Sequence, residues 1–499
     1  MRPLPTLVFA FAACGALLAE APSNSPQEAF SRSRWIAEHS ATAHFDGGLL
    51  GSTRESIAES DTARLAPARR RPTPEGPPNV RISEDILEPD EASGGQPETE
   101  AEVSLAADPA NEAHLVAGYQ EDRFENGGAR ALTFAVSSDG GRHWGEGLLP
   151  ALTRLTGGSF ERASDPWVAF GTGTRVHYAT IAFNETNPDN EVTLSTSEDG
   201  GQSWGAPVVV HVNHSRDFDD KEAVVADLAT NSPYQGRIYV AWDTVFTDNR
   251  QVLRIAHSAD DGASFSAPVE VWSGGQNLNA LPLVGPDGVV HLIWMSFVQN
   301  TIQILTSRSE DGGETWSSPV TVGELRSHGV DGMRTGQLVA AAIDPRRGGL
   351  FVTWPDERFT PGVDQIVLAT SWDGIGWSAP MRVSDGPDDA PAFTPAVAVN
   401  GQGHFGIAYS TFRNDPQRRF LADQYLVTTN SRGRLLGASR VSTHSYDIRN
   451  AALSRGFFLG DYQGLVAGQK TFRPVWVATY EDSRLREGKQ PDVVTLRIP

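Results

Sequence analysis

An eight-residue turn pattern recurs along the chain: serine, any residue, aspartate, any residue, glycine, any two residues, then an aromatic. It runs Ser137-Ser138-Asp139-Gly140-Gly141-Arg142-His143-Trp144. It returns at Ser197 with Asp199, Gly201 and Trp204, at Ser258 with Asp260, Gly262 and Phe265, and at Ser309 with Asp311, Gly313 and Trp316. A shortened copy carries Ser371, Asp373, Gly374 and Trp377. Copies about 50 to 60 residues apart mark a repeated supersecondary unit. The chemistry is local. Serine and aspartate oxygens bond the turn's own backbone, glycine supplies a positive φ, and the ring folds back under the turn. The aspartates therefore read as staples and not as catalysts.

A second signal is a small residue followed by an aromatic inside an apolar strand. It reads Gly118-Tyr119, Ala182-Phe183, Ala241-Trp242, Ile293-Trp294 (bulkier at its first position), Thr353-Trp354, Ala408-Tyr409 and Thr479-Tyr480. A short apolar strand precedes each. After each full turn except the first, and after the shortened copy, comes a small residue and proline, as in Ala206-Pro207 and Ser318-Pro319. Proline suits an edge strand, where a missing N–H costs least. Each repeat thus reads as four strands, innermost first, with the turn joining the third and fourth. The last repeat has one strand too few, and Asn79-Val80-Arg81-Ile82-Ser83 resembles the missing outer strand. The expected fold is all-β, a propeller of seven four-stranded blades closed by that N-terminal strand, with six blades the alternative.

Before this body, residues 1–21 read as an export signal: Arg2, then an apolar stretch over 4–18, then small residues at Ala19 and Ala21. The stretch is too short to span a membrane. The only cysteine, Cys14, lies in it. Phe11-Ala12-Ala13-Cys14 resembles a lipoprotein box, so either Cys14 carries lipid or cleavage falls near Ala21. Both imply an exported protein, whether secreted, periplasmic or held at the cell surface, with no disulfide in its mature body. Residues 22–78 read as a tether of low order, ending in an arginine- and proline-rich run. A helix is conceivable around residues 31–39. A formal net charge of −21 argues against nucleic-acid binding. A monomer is expected.

The turns resemble the Asp boxes of the sialidase and BNR-repeat family, over residues 79–499. The resemblance implies an exo-sialidase-like glycoside hydrolase, with three arginines gripping a substrate carboxylate, an aspartate acid/base, and a tyrosine nucleophile served by a glutamate. Taken in the family's order, the positions are Arg123, Arg334 and Arg358, with Arg413 as substitute for either of the last two. Asp165 is the acid/base, Tyr462 the nucleophile, and Glu222 its base, with Glu481 second. Two features depart from the family. Seven repeats replace six, and its first-blade motif of Phe or Tyr with Arg-Ile-Pro is absent, since Arg497-Ile498-Pro499 follows Leu496 at the far end. The alternative function is a non-catalytic extracellular scaffold that binds a glycan or a protein. Acid–arginine pairs on equivalent loops also have a plainer role, locking blades together. Asp217 and Asp219 are candidate oxygen ligands for calcium, and no other cofactor is expected.

Overall fold

The computed structural model describes residue 32 and residues 76–499, apart from 89, 91, 92, 336, 431, 432, 480–490 and 497–499. The strands pair antiparallel in fours. In chain order the innermost strands are Glu100–Asp108, Arg162–Phe170, Phe218–Ala226, Gln276–Val284, Ala340–Ile343, Ala392–Val399 and Gly464–Ala467. They define sheets 1 to 7 among the described residues. Sheets 1 and 2 are also joined by one pair, Ala129 with Ala163. Each inner strand contacts the next in order, and the seventh contacts the first. The arrangement is propeller-like. The outer strand of sheet 7 is Val80–Arg81, paired with Thr495 and Val494, so the expected N-terminal strand is found there.

The apolar residues show why these sheets stack. Seven buried clusters lie between neighbouring sheets, one at each junction. The one between sheets 7 and 1 joins Val475, Val477 and Val493 to Leu105, Leu115 and Tyr119. Burying each such side chain contributes about 1.5–3 kcal/mol.

Register places the small–aromatic step in each second strand. The first pair after the inner strand's bulge, or the first pair where there is none, involves Gly118, Ala179, Ala241, Ile293, Thr353, Ala408 and Val475. The next residues are Tyr119, Thr180, Trp242, Trp294, Trp354, Tyr409 and Trp476. Two expected steps therefore lie off that register position. In sheet 2 it holds Ala179-Thr180, which lacks the aromatic, not Ala182-Phe183, and in sheet 7 it holds Val475-Trp476, not Thr479-Tyr480. Phe183 instead packs edge-on to Phe218 of sheet 3, while Tyr480 lies outside the described residues. A small first residue leaves room for the next sheet: a Cβ on Gly118 would come within 2.7 Å of the Tyr178 ring.

The eight-residue turns are built as their chemistry requires. In the second copy Ser197 Oγ accepts from Gly201 N at 2.7 Å, Asp199 Oδ1 accepts from Ser203 N at 2.9 Å, and Trp204 Nε1 donates to Gly201 O at 3.1 Å. The serine-to-glycine bond recurs at 2.8–2.9 Å in the other full copies, and the shortened copy closes one residue earlier, at Gly374. Hydrogen bonds from Ser203 hold Asp199 down at about 2, so it is an acceptor fixed in its ionised form.

These turns and the turns between first and second strands share one face. The loops leaving the second strands occupy the other. Above that second face lies a small sheet of two-residue strands: Met333–Arg334 beside Phe457–Phe458 beside Ala452–Leu453. Among the described residues no helix is long and apolar enough to cross a membrane. The short helix considered for residues 31–39 and most of the tether lie outside the described residues. Arg32 is described, and it is buried, donating to Arg216 O at 2.9 Å and to Pro188 O.

Candidate functional site

Five of the seven inner strands carry a bulge near their start. Register slips at residues 101/104, 164/167, 220/223, 278/281 and 393/396. Within each slip one non-glycine residue adopts left-handed backbone: Glu102 (φ 54°), Asp165 (54°), Lys221 (50°), Asn279 (66°) and Thr394 (47°). Gln337 (49°) does the same just before the fifth strand. Such residues cost about 1–3 kcal/mol each and concentrate at functional sites. Three of them converge.

Lys221 Nζ donates to Asp165 Oδ1 at 2.9 Å and Asp461 Oδ2 at 2.8 Å, and lies 3.4 Å from Glu102 Oε1. Arg334 grips Asp461 with two nitrogens, Nε to Oδ1 at 3.1 Å and Nη2 to Oδ2 at 2.5 Å. Arg123 Nη1 lies 3.6 Å from Glu102 Oε2, and Gln120 ties Arg123 to Glu102 and to Ser164. Both guanidiniums reach Ser454 Oγ in the turn of the small covering sheet and stack on Phe458, at 4.2 Å for Arg123 and 4.7 Å for Arg334. No side chain among Glu102, Arg123, Asp165, Lys221, Arg334 and Asp461 is more than 8% exposed.

Burial and neighbours drive these groups apart. Burial pushes Glu102 up to about 7 against the pull of Lys221. Burial also raises Asp165, again opposed by Lys221. Asp461 goes the other way: although burial would raise it, Arg334 and Lys221 hold it well below the usual carboxylate range. Lys221 is kept charged, because Asp165, Asp461, Glu102 and Asp220 outweigh its burial. Glu222 is buried, neither of its carboxyl oxygens bonds another residue, and burial followed by Asp165 raises it well above normal. Asp243, paired across the strands with Asp220, is buried in the same way.

Tyr462 donates its hydroxyl to Pro166 O at 3.0 Å, and its ring lies 5.3 Å from that of Trp167. Burial raises its phenol well above normal, and the carboxylates of Glu102, Asp165 and Glu222 add to the shift. Tyr462, Trp167 and Asp461 line a cavity of about 150 Å³ between the inner strands.

Of the residues expected from sequence, Arg123, Arg334, Asp165, Glu222 and Tyr462 are brought together here. Arg358 and Arg413 bond elsewhere. Arg358 is held by Asp356 at 2.7 Å, and Arg413 by Asp385 at 2.7 Å with its guanidinium over Tyr425. A three-arginine grip is thus not assembled in this arrangement. Glu481 lies outside the described residues. The calcium pair is not formed either. Asp219 accepts from His211, Asn213, Trp242 and Thr244, and Asp217 accepts from Thr247 N and Ser215. Among the described residues no group of three or more His, Cys, Asp or Glu is placed to hold a metal.

Lys221, Glu102, Gln120 and Phe458 escaped sequence reasoning. Lys221 had a signal: only three of the 41 basic residues are lysines, and this one sits between Asp220 and Glu222.

No family model matches the chain, and no curated protein matches it. Solved structures resemble it distantly. A protein of unknown function from Dyadobacter fermentans is 16% identical, with a TM-score of 0.44 over 66% of this chain and 93% of that one. A Trypanosoma rangeli sialidase in complex with sialic acid is 14% identical, with a TM-score of 0.46 over 85% of this chain and 59% of that one. An α-L-arabinofuranosidase from Fusarium graminearum, bound to an iminosugar inhibitor, is 10% identical, with a TM-score of 0.41 over 66% and 92%. The chain thus spans little more than half the length of the sialidase. Similarity at this level assigns no activity.

Proposed function

We propose that this chain is an exported, seven-bladed propeller that hydrolyses the glycosidic bond of a terminal sugar at the charged end of its axial cavity. The observation that carries the reading is the convergence of Asp165 and Glu222 on Tyr462, which lines that cavity. A carboxyl raised by burial holds a proton more tightly, which suits an acid that must donate one late and strengthens a base that must take one. Asp165, raised by burial, donates the proton to the leaving oxygen. Tyr462 attacks the sugar carbon as the bond to the leaving oxygen breaks, passing its proton to ionised Glu222; water, losing a proton to Asp165, then displaces Tyr462, which recovers its proton from Glu222. The family resemblance implies a sialic acid, whereas the charge balance of the cluster favours a sugar without a carboxylate.

The test is a panel of fluorogenic glycosides, sialoside included, on purified full-length protein. Release by the wild type is expected, with kcat/KM lowered roughly 10²–10⁴-fold in Asp165→Asn and Tyr462→Phe. No release from any glycoside, or full activity in both variants, removes this mechanism.

One observation favours the second reading, a non-catalytic glycan- or protein-binding scaffold. The salt bridges within the cluster pair Arg123, Lys221 and Arg334 with internal carboxylates, and Ser454 and Phe458 of the covering sheet contact both arginines. Saturable glycan binding without turnover would establish it.

A further inference from the structure

We propose that Asp461 determines specificity at this site: its carboxylate occupies the cationic position that an acidic sugar would need, so the site takes a terminal sugar without a carboxylate. The inference rests on the glycosidase or glycan-binding reading above and names its ligand class.

Three cations converge at one point of the axial cluster, and the group already there is a carboxylate. Arg334 holds Asp461 through both of its oxygens, and Lys221 bonds the second oxygen at 2.8 Å. Arg123 adds its charge nearby and shares Ser454 with Arg334. An incoming carboxylate would have to displace Asp461 or do without these donors. The other acids that contact or crowd Lys221 are Glu102, Asp165 and Asp220. They outnumber the cations left over, so a second anion would be buried against like charge.

An uncharged sugar meets no such obstacle. Its hydroxyls can donate to the Asp461 carboxylate, which lines the cavity. Its apolar face can rest on the Trp167–Tyr462 pair, both of which border the cavity. Specificity by an internal carboxylate is an exclusion device, since it sets a repulsive group against the wrong ligand.

The experiment reads binding apart from turnover. Full-length wild type, Asp461→Gly and Asp461→Asn are titrated calorimetrically with sodium acetate, N-acetylneuraminic acid, glucuronic acid and a set of neutral monosaccharides. Melting temperatures are recorded with and without acetate. Asp461→Gly opens a carboxylate-sized gap facing the cations, so acetate should bind it saturably and raise its melting temperature by roughly 3–5 °C, leaving the wild type unmoved. Asp461→Asn should gain at least about tenfold in affinity for the acidic sugars. The wild type should bind neutral sugars only. If the glycine variant folds only in acetate, the gap takes a carboxylate and the assignment holds. If neither variant folds, the wild-type titrations decide it. Wild-type preference for an acidic sugar, or no acetate response in a folded Asp461→Gly, overturns the proposal. Neutral-sugar binding without hydrolysis of any glycoside would end the hydrolase reading and leave this assignment standing.

Discussion

Lys221 carries its charge away from water because Asp165, Asp461 and Glu102 all lie within 3.4 Å of its ammonium. Removing one member of a buried ion network leaves the others uncompensated. Lys221→Met should therefore lower the free energy of urea unfolding at pH 7 by roughly 3–5 kcal/mol. A loss below about 1 kcal/mol would mean that these carboxyls are already protonated and need no cation. Glu146, outside the site, reports the pH dependence more simply. Burial raises it to about 7 while Tyr119 donates to it at 2.5 Å. Glu102 at about 7 and Asp364 at about 6 are raised likewise by burial. A carboxyl whose folded value exceeds its unfolded one holds its proton more tightly in the folded chain. Its stabilising effect is complete below about pH 4.5 and is lost as pH climbs through the folded value. Melting temperature should thus fall between pH 5 and pH 7.5, and Glu146→Gln should flatten that slope. A curve that rises over this window contradicts the burial argument. Part of this was legible beforehand. Asp165, Arg123, Arg334 and Tyr462 stand out as polar groups at the ends of apolar strands. The partnership of Asp461 with Lys221 spans 240 positions, and no local pattern encodes it.

At the scale of the element, the turns were the most readable feature, because their chemistry closes within eight residues. Ser197 is buried, and its hydroxyl oxygen is the acceptor for Gly201 N. Ser197→Ala leaves that buried donor without its partner and should cost about 1–3 kcal/mol. Chemical denaturation would show the loss, and an unchanged midpoint would mean the hairpin holds without its staple. Strand register was harder to read. All eight residues of Val176–Phe183 are buried, so no alternation marks which face is which, and Ala182-Phe183 stands three residues past the register position, which holds Ala179-Thr180. The covering sheet was invisible for a simpler reason: a strand of two residues has no period. Yet that sheet supplies Ser454 and Phe458 to the arginines.

For the whole molecule, the junction of greatest consequence is the one between Val80–Arg81 and Asp492–Thr495. Arg81 adds an ion pair to Asp492 at 2.7 Å, and Ile82 is buried in the cluster between sheets 7 and 1. Deleting residues 1–84 removes these contacts and bares an edge strand. The truncated protein should lose at least about 2 kcal/mol of stability and self-associate through that edge. Light scattering coupled to size exclusion would detect it, and a stable monomer would show that the strand is dispensable. This pairing could be foreseen, because the last repeat visibly lacks a strand and the segment at residues 79–83 resembles the outer strands of other repeats.

The same pairing constrains how the protein is made. Residues 80–81 leave the ribosome before any sheet exists, and their partner is synthesised last of the seven sheets. A chain halted at any intermediate point leaves the apolar faces of its first and last sheets uncovered and Val80–Arg81 unpaired. Exposed apolar surface and unpaired strands of this kind are what make incomplete chains prone to aggregate and what chaperones bind. Only synthesis through sheet 7 supplies the partner for residues 80–81 and covers both faces at that junction.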